Sequence, residues 1–279
     1  MRIVNVITCE PDETFGRGAF HARVFDLTER LGAKVIGATV FEMQAGEKLG
    51  PYHYHDGVEE WLYVVSGAPI LRDVGGERVL QPDELVAFAA GPTGAHTTHG
   101  PGRVVMFSAG ARGWGEAFLS VYPDSDKIAG KPGVKFRRAD AIDAWRSEAA
   151  ETPSVATWTA TSYELKPGEA TAAYHYEWCR ETWALILGGT PTLRHADGKT
   201  TLVRGDICCF PEGPAGAHEL RNDGAEPARL ILFSTHPGRP MSAFYPDEGT
   251  VAIHISDHEG FLFREADQID YWDGEPGAS

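Results

Sequence analysis

Two histidines one residue apart, His53 and His55, are where chemistry begins in this sequence. Side chains alternate across a strand, so an extended His53-Tyr54-His55 points both imidazoles the same way. Glu60 follows five residues after His55, past the turn signal Asp56-Gly57, and a strand starting there brings its carboxylate back beside the histidines. His96 arrives from a third strand, behind Gly91-Pro92-Thr93-Gly94. Three imidazoles and one carboxylate suit a divalent first-row metal and leave positions open for water or a substrate oxygen.

These residues lie in a unit that occurs twice. Tyr52-His-Tyr-His-Asp-Gly-Val-Glu-Glu-Trp61 is answered by Tyr174-His-Tyr-Glu-Trp-Cys-Arg-Glu-Thr-Trp183, and Gly94-Ala95-His96 by Gly216-Ala217-His218, both at a spacing of 122 residues. Tyr122-Pro-Asp124 returns as Tyr245-Pro-Asp247, and the segment from Phe136 to Trp145 returns as Phe263 to Trp272. A period this long describes a duplicated domain rather than a repeat array. The gap-free alignment sets His175 on His53, Glu177 on His55, Thr182 on Glu60 and His218 on His96. Two ligand positions have changed, and His175, Glu177 and His218 are left as a candidate 2-His-1-carboxylate set. Glu181 aligns with Glu59, on the opposite face unless a bulge shifts the register. Cys179 aligns with Gly57 and is expected in a turn.

The elements that must position these groups are short strands. Residues 35–43, 61–65, 85–88 and 104–108 are apolar runs rich in strand formers, and 158–165, 183–187, 207–210 and 230–234 repeat them. Glycine and proline punctuate them, which predicts an all-β, antiparallel sandwich or barrel in each half. Helical periodicity is confined to short tails around 139–148 and 265–271. The boundary is expected near 147–153, giving one barrel over 1–150 and a second over 151–279.

The motif resembles the cupin superfamily: His-x-His, three or four residues, Glu, six residues, Gly. Here His53-Tyr-His55 is followed by Asp56-Gly-Val-Glu59, then Glu60, then Gly67. His96 matches the histidine of the second motif. Pro82-Asp83-Glu84 departs from the usual Pro-Gly-Asp ahead of it, and the usual glycine six residues before the first histidine is absent; neither change removes a ligand. The resemblance implies two tandem jelly-roll barrels with short tail helices, and one metal on His53, His55, Glu60 and His96. Register favours Glu60 over Glu59: Glu60, Leu62 and Val64 share one face, and Glu59, Trp61 and Tyr63 the other.

The remaining signals are weaker. His99 is expected to face away from the site, and His21, His195, His236, His254 and His258 to lie mostly at the surface. Matched Trp61 and Trp183 read as packing, matched Arg72 and Arg194 as structural, and adjacent Cys208 and Cys209 as a core thiol and its neighbour. Forty acidic against 25 basic residues give a net charge of −15, which repels phosphate backbones and argues against nucleic acid as a partner. No run is long and apolar enough to cross a membrane, and the first residues carry no basic leader, so the cytoplasm is expected.

The resemblance implies a small-molecule substrate and leaves the reaction open. A metal-dependent enzyme with dioxygenase-type chemistry is the leading reading, with Glu60 as a candidate to take a proton. The alternatives are an isomerase or decarboxylase that uses the metal as a Lewis acid, and a non-catalytic binding cupin. The metal is one of iron, manganese, nickel, copper or zinc, and a homodimer is an allowed assembly.

Overall fold

The computed structural model describes residues 1–110, 119–129, 135–137, 157–236, 241–256 and 259–268. Each half folds into three antiparallel sheets, and the sheets of the two halves correspond. In the first half the main sheet runs in the order Glu13–Arg17, Phe20–Asp26, Ile36–Met43, Gly102–Gly110, Val58–Gly67, Leu85–Phe88. Its counterpart holds Thr157–Leu165, Ala228–His236, Thr182–Gly188 and Asp206–Phe210, and its last strand is Ile3–Asn5 from the far end of the chain. The two halves are thus two barrels, and the expected first unit of 1–150 lends its opening strand to the second. The expected boundary at 147–153 lies outside the described residues.

The eight apolar runs found in the sequence lie in strands of the main sheets, except that Val35 precedes the strand Ile36–Met43. Each barrel has its own interior. Leu62, Val64, Leu71, Val104 and Met43 fill the first, and Ala184, Ile186, Leu193, Leu220 and Leu230 the second. The opposite faces of the same strands, with Tyr63, Val65, Val105 and Phe107 from one half and Trp183, Leu185, Cys209 and Phe233 from the other, form one core between the barrels. Strands buried on both faces explain why these segments read as continuous apolar runs rather than alternating ones. Phe107 and Phe233 stack across the junction with centroids 4.4 Å apart, and Trp61 and Trp183 pack edge-on against the partner half's phenylalanine, so both tryptophans are packing residues. Cys208 and Cys209 face opposite cores, and both are buried.

A buried carboxylate ties the halves together. Glu181, 2% exposed, accepts from the backbone N–H of Lys34 at 2.6 Å, Val35 at 3.2 Å and Ile36 at 2.8 Å, and from Trp183 Nε1 at 3.2 Å. It therefore lies on the face away from the second barrel's interior, as its alignment with Glu59 implies. At the rim Asp83 accepts from Arg204 at 2.7 and 2.9 Å and from the Tyr63 hydroxyl at 2.6 Å.

One α-helix is present among the described residues, Leu27–Leu31, capped by Asp26 at its start and by Gly32 in the left-handed region at its end. Five residues are too few for periodicity to reveal. The expected tail helix at 139–148 lies outside the described residues, as do residues 269–271 of the other; the described part of that second tail forms a single 3-10 turn, Glu265–Asp267.

Candidate metal centre

His53 and His55 flank Tyr54 at the start of the strand Tyr54–Asp56, which pairs with Leu119–Tyr122 so that His55 lies opposite Ser120. Cys179 and Gly57 occupy the same tight turn after this strand in the two halves, both with positive φ (67° and 79°), as the alignment predicts. Glu60 leaves the strand Val58–Gly67 on the side of Leu62 and Val64, while Trp61 and Tyr63 face the junction. His96 opens the strand His96–His99 and is held opposite His53 by a reciprocal pair of backbone hydrogen bonds of 2.8 and 3.0 Å.

The four side chains converge. Donor atoms of His53, His55 and Glu60 all lie within 4.8 Å of one another. Glu60 Oε2 is 3.3 Å from His55 Nε2 and 3.6 Å from His96 Nε2. Each imidazole is oriented through its other nitrogen: His53 Nδ1 meets the Pro51 carbonyl at 2.8 Å, His96 Nδ1 meets the Gly94 carbonyl at 2.9 Å, and His55 Nδ1 meets Ser120 Oγ at 3.0 Å. A carbonyl oxygen only accepts, so Nδ1 carries the proton in His53 and His96, and the Nε2 lone pairs face the site. Phe88 stacks on His96 at 3.6 Å between centroids, and Tyr122 stacks on His53 at 5.8 Å.

Burial lowers His53 to about 4 and pulls His96 down as well, so these imidazoles are neutral at neutral pH. Burial acts on Glu60 in the opposite sense, but the three surrounding histidines outweigh it and hold the carboxyl at about 2. One carboxylate gathered with three imidazoles is the donor chemistry a first-row divalent ion requires, and these residues fit such an ion.

The cluster lies in a cavity of about 670 Å³. Phe15, Val24, Phe41, Leu49 and Met106 give it apolar walls, and the strand Glu13–Arg17 forms part of its rim. Glu13, Asp26 and Glu60 are the acidic groups in its lining, and no lysine or arginine is among the described lining residues.

The second barrel keeps half of this arrangement. His175 and His218 lie 4.7 Å apart between centroids, with Nδ1 held by the carbonyls of Ala173 and Gly216 at 2.8 Å each. Tyr245 and Phe210 stack on them as Tyr122 and Phe88 do in the first barrel. Glu177 instead receives the Arg180 guanidinium at 3.0 Å, and the Thr182 hydroxyl meets Ser234 Oγ at 2.9 Å. Among the described residues His175, Glu177 and His218 do not form a group of three gathered donors.

The matched arginines lie outside both clusters. Arg72 pairs with Asp124 at 2.5 and 3.0 Å over the Tyr52 ring, and Arg194 pairs with Asp247 over Tyr174, so both arginines brace the repeat. His99 lines a separate pocket with Lys48 and Lys127. Of the scattered histidines, expected mostly at the surface, His254 is exposed, His21 is half-buried against Glu47 and His195 is only 10% exposed, hydrogen-bonded to Thr200. His258 lies outside the described residues, as does the His236 side chain. Sequence reasoning missed Ser120, Tyr122 and Phe88. The repeated Tyr-Pro-Asp was the available signal for Tyr122.

The cupin domain family matches residues 39–110 and again residues 161–234. The chain belongs to the cupin family. Among solved structures, a variant of salicylate 1,2-dioxygenase from Pseudoaminobacter salicylatoxidans in complex with gentisate is 15% identical, with 80% of this cupin and 76% of that chain covered at a TM-score of 0.54. A variant of the Bacillus subtilis oxalate decarboxylase is 12% identical, with 85% and 77% covered and a TM-score of 0.46. A cupin-superfamily sugar phosphate isomerase from Silicibacter pomeroyi is 20% identical, with 46% and 78% covered and a TM-score of 0.38. No curated protein matches this cupin.

Proposed function

We propose that this cupin holds one divalent first-row transition metal on His53, His55, Glu60 and His96, and acts as a metal-dependent enzyme on a small organic molecule, with dioxygenase-type chemistry. The observation that carries the reading is the set of three imidazoles, each engaged through Nδ1, whose Nε2 atoms surround one carboxylate in a cavity wide enough for a small ligand. When bound, the metal supplies Lewis acidity and, for a redox-active ion, activation of O2. The chain does the rest. Ser120, Pro51 and Gly94 fix the imidazoles, so little reorganisation is needed on loading. The apolar walls exclude water around a substrate. On loosening from the metal, Glu60 would take a proton from a substrate hydroxyl.

The absence of lysine and arginine from the described lining counts against a sugar-phosphate substrate, which needs cationic partners. The same proposal divides the chain at 147–153 into 1–150 and 151–279, with Ile3–Asn5 exchanged, and leaves metal to the first barrel. Two of the four thiols are buried and all four are free, which fits a reducing compartment, and we place the protein in the cytoplasm.

The test is oxygen consumption by the iron-loaded protein with phenolic, enediol and β-diketone substrates. Aerobic turnover that stops on chelation is expected. Turnover of any of them that proceeds at an equal rate without oxygen contradicts the dioxygenase reading.

A further inference from the structure

The sheet of His96–His99, Ile70–Asp73 and Gly76–Val79 buries Leu71 in the first barrel's interior and turns its other face outward. Arg72 lies directly opposite Thr97 on one side and Glu77 on the other, and Lys48 lies directly opposite His99. Directly opposed antiparallel residues share a face, and so do alternate residues such as Thr97 and His99. Lys48, His99, Arg72 and Glu77 therefore stand on one surface, where they line a pocket of about 270 Å³ with Lys127 and Asp124. Gly50 and Pro51 line both this pocket and the metal-centre cavity, so the two are neighbours. Arg72 is taken by both carboxylate oxygens of Asp124. Lys48 is half-buried and Lys127 exposed, and among the described residues neither makes an ion pair. Burial lowers His99, with Lys48 and Arg72 adding to the effect and Glu77 opposing it, so these charges reach the imidazole.

The second barrel builds the same surface without the two lysines. Ala170 lies opposite Arg221 where Lys48 lies opposite His99, and Thr250 lies opposite Tyr245 where Lys127 lies opposite Tyr122. Glu219 replaces Thr97 opposite Arg194. The guanidiniums there are answered within the chain, Arg194 by Asp247 and Glu219, and Arg221 by Asp223. The scaffold thus folds without Lys48 and Lys127. We propose that the first barrel's pocket is a binding site for a small organic oxyanion, whose carboxylate or phosphate oxygens are held by Lys48 and Lys127. Three cations, Lys48, Arg72 and Lys127, against the carboxylates of Glu77 and Asp124 make the pocket locally positive in a chain of net charge −15, which otherwise repels anions. Glu77 limits that surplus, so a ligand with one or two negative charges fits and a polyanion does not. Phe20, Pro51 and Tyr52 offer apolar contact to a short carbon chain. None of the four metal-centre residues lines this pocket, and the inference does not depend on bound metal.

The experiment is calorimetric titration of the whole chain at constant ionic strength with succinate, inorganic phosphate and the uncharged succinamide. One saturable site for succinate or phosphate, and none for succinamide, is expected. The tighter of the two anions tells whether the site takes a carboxylate or a phosphate group. Lys48→Gln and Lys127→Gln are each expected to weaken binding about tenfold, and Glu77→Gln to strengthen it. Lys199→Gln, at the position of Glu77 in the second barrel, and Glu60→Ala, in the metal centre, are expected to leave the affinity unchanged. Equal binding of succinamide, no saturable binding of either anion, unchanged affinity in either lysine variant, or weaker binding in Glu77→Gln overturns the site. An equal loss in Lys199→Gln assigns the effect to the overall charge of the chain, and a loss in Glu60→Ala assigns the anion to the metal centre. Either result overturns the inference and leaves the metal-centre reading standing.

Discussion

The two barrels of this cupin share a fold and differ in what surrounds one point in each. Where the first barrel has His55, the second has Glu177; where Ser120 supports His55, Ala243 lies opposite Glu177; and where Glu60 stands, Thr182 stands. The changes are correlated: the imidazole of His55, the hydroxyl that supports it and the carboxylate of Glu60 go together. What both barrels keep is the scaffold around the remaining pair. His175 and His218 retain their carbonyl partners and aromatic neighbours, and Arg194–Asp247 repeats Arg72–Asp124. Glu181 faces the other way and works at the junction. The comparison teaches that a repeated imidazole pair with its scaffold does not by itself gather a donor set, and that the difference between the barrels lies at His55, Ser120 and Glu60, where the repeat breaks.

Removing Glu60 should erase the difference between the barrels most completely. Glu60→Ala is expected to weaken metal affinity by more than about a hundredfold, beyond the usual cost of losing an outer support, while Thr182→Ala leaves metal content unchanged. Equilibrium titration with a competing chelator measures both. At the junction, Glu181→Ala strips the acceptor from three backbone N–H groups and an indole, and a cost of about 3 kcal/mol in unfolding free energy is expected. Glu59→Ala, at the matching position of the first half, should cost less than about 1 kcal/mol by denaturant unfolding. Ser120→Ala imitates Ala243 and is expected to lower metal affinity by about tenfold while the fold stays intact by circular dichroism.

Acid stability reads the second barrel's buried pair through protonation. Burial holds His218 at about 3, below its ordinary value of 6.5, so in the window between these values the unfolded chain binds more protons than the folded one. Stability therefore falls as the pH drops through that window, by at most about 1.4 kcal/mol per pH unit from this residue. His218→Leu should flatten the fall between about pH 6.5 and 4.5 in thermal unfolding. An unchanged slope would assign the proton uptake elsewhere.

Much of this was legible in the sequence because the duplication acts as an internal alignment. The strands holding Leu62 and Leu85 follow from apolar runs bounded by glycine and proline, and period-two alternation put Glu60 rather than Glu59 on the cavity face. Register is a local property, and it transfers from sequence to structure. What sequence did not show depends on contacts between distant segments. Ser120 lies 65 residues from His55 and meets it only through strand pairing. Ile3–Asn5 joins the sheet of the other half, an exchange that three residues cannot announce. The partner of Glu181 is a stretch of backbone near residue 35, which carries no side-chain signature. The partner of His195, Thr200, is set by a hairpin and not by any motif, so its burial has no signature in the sequence.

The most direct test of one metal in the first barrel is elemental analysis of protein purified without added metal, comparing wild type with His53→Ala and His175→Ala. The two positions are equivalent in the repeat, and both imidazoles are held by a carbonyl at 2.8 Å, so the fold treats them alike. The expected result is about one metal ion per chain in wild type and in His175→Ala, and none in His53→Ala. A His53→Ala protein that keeps its metal, or a His175→Ala protein that loses it, would contradict the assignment.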